Sequence, residues 1–157
     1  PLLELLTDAQ VVTVLVTALV VGLVVVFHYE VIQQLNRWCP SHPSKKQKHR
    51  HRPIILATMF ALLFAHIIEI WLFGVAFWGL LSQTGYGAIS GYDHISLLDS
   101  VYFSAATYTT VGWGDLAATG HIRFLAVTEA LVGFMMITWS ASFSYLIMAR
   151  AWGSEND

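Results

Sequence analysis

Residues 107–115 read TYTTVGWGD, and their spacing offers one particular coordination chemistry. A cation enters a narrow passage only where protein oxygens replace its water shell at similar distance and field strength. Backbone carbonyls suit that task. In a strand, successive carbonyls point to opposite sides, so a row facing one axis needs residues that accept positive φ, which Gly does cheaply. Gly112 and Gly114 alternate at that spacing, Thr110 can add its hydroxyl, and β-branched Val111 stiffens the backbone between them.

A second set of groups is defined by where it lies. His66, Glu69 and Glu129 are ionisable residues within long apolar stretches, a placement that by default implies function. His66 and Glu69 are three apart and share a helix face. Glu129 is expected behind a short helix leading into residues 109–115. Two readings follow: a polar cluster that braces those residues and senses pH, or a static hydrogen-bonded pair. As metal ligands the three lack a second histidine, so no metal site is expected here. Gly133, midway along the last apolar stretch, is a bending point or a close helix contact. Cys39, His42, His49 and His51 have zinc-binding side chains, but their spacing fits no standard site. Cys39 is the only cysteine, so no intrachain disulfide is possible.

These residues must be positioned by membrane-spanning elements. The chain is 56% hydrophobic and 11% charged, against about 25% charged in soluble domains. Residues 11–27 are uncharged and form a first span, which HYEVIQQLNRW extends into the cytosol. A signal peptide fits less well, because Glu4 and Asp8 replace its basic leader. The next segment holds Arg37, Lys45, Lys46, Lys48, Arg50 and Arg52, six of the eight basic residues, and the positive-inside rule makes it cytoplasmic. Pro40, Pro43 and Pro53 prevent a continuous helix through it. Its basic cluster at Lys45, Lys46, Lys48, Arg50 and Arg52 suits anionic lipid headgroups. Residues 54–81 and 124–149 form two further spans, with an external Gly-rich loop at 82–95. Ser96 and Asp99 match a capping box, which predicts a short helix over 97–108. The expected fold is therefore an all-α, multi-pass protein of the plasma or inner membrane with three transmembrane helices and one re-entrant helix. The N-terminus, at Pro1, is external and the C-terminus cytoplasmic. Residues 1–53 form the first helix and linker, and 54–157 the second unit. The net charge of −2 gives no sign of a nucleic-acid partner. With no Arg or Lys in 11–27, the first helix is no voltage sensor.

TTVGWGD resembles the TTVGYGD signature of potassium channels, differing at one residue, and the resemblance covers residues 54–152 as outer helix, pore helix, filter and inner helix. It implies passive potassium conduction, with the ion held by Thr110, Val111, Gly112, Trp113 and Gly114 and with Asp115 at the outer mouth. It also implies a fourfold homotetramer, since one loop per chain cannot encircle an ion. K+ would be the permeant ion, with no cofactor and no enzymatic activity. Trp113 stands where the family has Tyr or Phe, which leaves a weakly selective cation channel as the alternative. A non-conducting membrane protein with a His/Glu metal site is the more distant one. Phe103 and Ala106 occupy places where many relatives carry a Trp and a Glu that hold the filter aspartate, so Asp115 is expected to lack those partners.

Overall fold

A computed structural model describes residues 7–39 and 51–153. The expectations placed on Pro1, Pro40, His42, Pro43, Lys45, Lys46, Lys48, His49 and Arg50 lie outside the described residues, as does the side chain of His51. The elements are α1 (Asp8–Trp38), α2 (His51–Leu81), β1 (Ala88–Ser90), α3 (Leu97–Tyr108), β2 (Ala117–Thr119) and α4 (Ile122–Gly153). Three of them, α1, α2 and α4, are long and apolar enough to cross a membrane.

Helix α1 starts at a capping box in which the Gln10 N–H donates to the Thr7 hydroxyl and the Thr7 N–H donates to the Gln10 side chain. It runs unbroken to Trp38, so the apolar span and its polar extension form one helix. At about 1.5 Å per residue it is roughly 45 Å long, well beyond the ~30 Å hydrocarbon layer. Thr13 and Thr17 are buried yet satisfied, because their hydroxyls donate to the carbonyls of Ala9 and Thr13 at 2.7 Å.

Helix α2 begins two residues before Pro53, not after it. The first turn has no intrahelical use for a proline N–H, so Pro53 ends nothing there. The external segments are also not wholly loop. β1 pairs antiparallel with β2, Ala88 opposite Thr119 and Ser90 opposite Ala117, which adds a small β ribbon to the expected all-α fold. Three-residue strands carry too little alternation to be read from sequence. The ribbon closes the chain on either side of α3, and the Ile122 N–H donates to the Tyr86 carbonyl at 3.0 Å to fix the start of α4.

Short helix α3 lies against both α2 and α4, while α1 packs on the α2–α4 pair. One core, with Phe73, Phe77, Phe103, Tyr108, Leu125 and Met136 among its buried members, joins all four helices. A second, around Ile32, Leu62, Phe143 and Ile147, closes the opposite end of α1 and includes Cys39. Long apolar stripes are left uncovered: Leu19, Phe64, Val127 and Leu131 are each more than half exposed. In water such stripes would drive aggregation, whereas in a bilayer they meet lipid or a neighbouring chain.

Candidate functional site

The segment after α3 is defined by its backbone. Thr110, Gly112 and Gly114 all have positive φ, at 60°, 51° and 81°. For Gly112 and Gly114 this costs little, but a β-branched Thr is strained there by about 1–3 kcal/mol. The strain is held by hydrogen bonds to the end of α3: the Thr110 N–H donates to the Thr107 carbonyl and the Gly112 N–H to the Ala106 carbonyl, each at 3.0 Å. None of the described residues covers this segment from outside. Val111 is 50% exposed and Trp113 72%.

Asp115 has a partner that the sequence reading did not find. Tyr102, one residue before Phe103, donates its phenol to the Asp115 carboxylate at 3.0 Å, tying the end of the segment back to α3. The adjacent carboxylate holds the Tyr102 phenol above the usual tyrosine range, so this donor stays protonated well past neutrality. At the start of α3, the Ser96 hydroxyl and N–H donate to the Asp99 carboxylate and hold it below the usual aspartate range. This charge also complements the positive end of the helix.

Behind the segment, side chains from four helices form a closed ring of polar contacts. His28 Nδ1 of α1 lies 2.8 Å from Glu69 Oε1 of α2. The Tyr108 hydroxyl, at the end of α3, donates to Glu69 Oε2 and stands 2.9 Å from His66 Nδ1. His66 Nε2 is 2.9 Å from Ser140 Oγ of α4, and that oxygen is 3.3 Å from His28 Nε2, which closes the ring. His28 and Glu69 are fully buried. The pairing of His66 with Glu69 is therefore one edge of something larger, at 3.3 Å from Nδ1 to Oε2. Sequence reasoning missed His28, Tyr108 and Ser140, having placed His28 at the margin of the first span.

Glu129 is not part of that ring. It faces α3 as expected, but its partner is Ser104, one helical turn before Tyr108, and neither His66 nor Glu69. Ser104 Oγ also lies 2.8 Å from the Ile70 carbonyl. Its single proton cannot serve both acceptors, so satisfying both requires Glu129 to carry a proton and donate it to Ser104. The second carboxyl oxygen, Oε2, has no partner among the described residues, which a neutral acid tolerates far better than a buried carboxylate.

Gly133 is a close-contact residue. A Cβ there would lie 2.1 Å from the Tyr108 carbonyl oxygen, so only Gly lets α4 pass over the end of α3. Helix α4 continues unbroken through it to Gly153.

Comparisons with known proteins point the same way. Protein LctB of Bacillus caldotenax is 49% identical over 45 residues, and Protein LctB of Geobacillus stearothermophilus is 42% identical over the same length. Each match takes in 28% of this chain and spans about a third, 34%, of the relative. No solved structure matches the chain. Residues 54–147, which run from α2 to near the end of α4, match the family model described as Ion channel. With three membrane-capable helices and a family match over more than half its length, this chain is an integral membrane protein belonging to the ion channel family.

Proposed function

We propose that the chain is one subunit of a homotetrameric potassium channel, with α3 as a re-entrant pore helix and Thr110, Val111, Gly112, Trp113 and Gly114 as the selectivity filter. The observation that carries this reading is the alternation of positive φ at Thr110, Gly112 and Gly114 in a segment its own chain leaves uncovered. Alternating left- and right-handed residues are what a row of carbonyls facing one axis requires. Irregular backbone at membrane depth also needs burial by neighbouring protein, which three further copies around a fourfold axis would supply. The likeness of TTVGWGD to the potassium-channel signature favours K+ over other cations. Asp115, held by Tyr102, then stands at the outer mouth, where its charge attracts cations.

By the positive-inside rule, the basic linker favours an orientation with the β ribbon outside and the end of α4 in the cytosol. The cluster from Lys45 to Arg52 would lie against anionic headgroups. Gly112→Ala tests the filter. A Cβ at Gly112 meets nothing within 4 Å among the described residues of its own chain, so within the subunit the substitution acts through φ. It costs about 1–2 kcal/mol of backbone strain. The expected result is an intact oligomer on gel filtration with K+ flux lowered at least tenfold. Undiminished flux through Gly112→Ala would remove the segment from the ion path.

A further inference from the structure

The ring behind α3 contains a count that its hydrogen bonds alone do not balance. It has five contacts: His28 to Glu69, Glu69 to Tyr108, Tyr108 to His66, His66 to Ser140, and Ser140 to His28. Each needs one proton. With Glu69 ionised and both imidazoles neutral, His28, His66, Ser140 and Tyr108 bring one proton each, which is one too few. A fifth proton completes the ring and makes it neutral overall, either as an imidazolium beside the carboxylate or as a neutral acid.

Without that proton the same side chains become something else. Ser140 Oγ has two lone pairs and can accept from the Nε2–H of both histidines, and Tyr108 donates to Glu69 Oε2. The Nδ1 lone pairs of His28 and His66 then face the Glu69 carboxylate, at 2.8 Å and 3.3 Å from its two oxygens. Lone pairs this close repel unless a positive charge sits among them. Two imidazole nitrogens and one carboxylate, each imidazole passing its other N–H to a fixed acceptor, are the donor set and outer support of a borderline transition-metal site.

We propose that His28, His66 and Glu69 bind one divalent transition-metal ion of the Zn2+ type per chain, in the space between the two Nδ1 atoms and the carboxylate. The sequence reading set a metal aside for want of a second histidine. His28 supplies it from α1, and Glu129, occupied with Ser104, drops out. The ligand atoms of the three residues lie within 4.8 Å of one another. Metal–donor bonds of about 2.0–2.2 Å put neighbouring donors about 3.3 Å apart in a tetrahedron, so the site must contract by roughly 1.5 Å at its widest. His66 is the residue free to move, being 17% exposed where His28 and Glu69 are sealed. Tyr108 Oη, 2.9 Å from His66 Nδ1, or a water can take the fourth position. The titratable groups facing it are His28 from α1, His66 and Glu69 from α2 and Tyr108 from α3. α4 adds the Ser140 hydroxyl, while its Glu129 bonds Ser104.

The test uses the full chain in detergent after chelator stripping. Cys39→Ser, His42→Asn, His49→Asn and His51→Asn are introduced to silence the linker. Zn2+ is measured by equilibrium dialysis and Co2+ by its visible absorption. The expected result is one Zn2+ per chain. Co2+ should give the intense bands of a four-coordinate site. His28→Gln and His66→Gln should each lower affinity at least a hundredfold, and Ser140→Ala about tenfold. Three results each overturn the proposal: binding below a tenth of an equivalent, the weak bands of six-coordinate Co2+, or retention of full affinity in His28→Gln. The first two are read on a chain with its ring intact, so they stand even where a ring variant misfolds.

Discussion

Glu129 shows how a single proton decides what a buried carboxyl does. Its one hydrogen-bond partner among the described residues, Ser104, must also serve the Ile70 carbonyl, so the arrangement is complete when Glu129 is a neutral donor. A glutamine amide has the same shape and the same donor. Glu129→Gln should therefore change the thermal stability of the detergent-solubilised protein by no more than about 0.5 kcal/mol, while Glu129→Ala loses about 2–5 kcal/mol to the cavity it leaves. A large loss in Glu129→Gln would mean that the charged form braces α3 after all. Tyr102 makes a related point at the other end of the segment. The places assigned to Trp and Glu in related pores carry Phe103 and Ala106 here, yet Asp115 is held, because the donor comes from one residue earlier in α3.

Helix α3 is the element on which the site depends, and it is fixed at both ends. Ser96 and Asp99 cap its start, while its last residue, Tyr108, lies under Gly133 and joins the ring through its hydroxyl. Gly133→Ala places a methyl group within the Tyr108 carbonyl, so α4 and the end of α3 must separate. The expected cost is about 1–3 kcal/mol of stability, with altered flux, because Tyr108 directly precedes the positive-φ segment. Unchanged melting and flux would show that the two helices adjust freely at this point.

The start of α3 was legible in the sequence because a capping box is a local chemical signal, and its limits at residues 97–108 match the helix. The unbroken run of α1 to Trp38 was likewise legible from HYEVIQQLNRW. What was not legible is what crosses between elements. His28 continues a buried stripe through Thr13, Thr17, Val20 and Val24 at steps of three and four, and that stripe was the available signal. Its partner Glu69 lies 41 residues away, a pairing no local pattern encodes. The strands and the helical place of Pro53 were missed for a different reason: each depends on only two or three residues.

At the scale of the whole molecule, α1 is tied to the rest of the protein by buried polar contacts as well as by packing. Its His28 reaches Glu69 and Ser140, and Asn36 accepts from Arg150 at 3.0 Å near the ends of α1 and α4. Cys39, buried beside Thr58, is a poor reporter of topology despite being the only thiol. In a Cys39→Ser background, a cysteine at the exposed Ser90 of the β ribbon should react with an impermeant maleimide in intact cells. One at exposed Trp152 should react only after the membrane is opened. The reverse pattern would invert the chain and with it the outer mouth proposed at Asp115.

Four copies of residues 110–114 are proposed to pass potassium and reject sodium, although Trp113 stands where related filters carry Tyr or Phe. The direct measurement is ion flux from liposomes reconstituted with purified protein, driven first by a potassium gradient and then by an equal sodium gradient. Potassium flux should exceed sodium flux by at least tenfold, with Trp113→Tyr leaving that preference intact. Comparable potassium and sodium flux in the native protein, with discrimination appearing only in Trp113→Tyr, would contradict it.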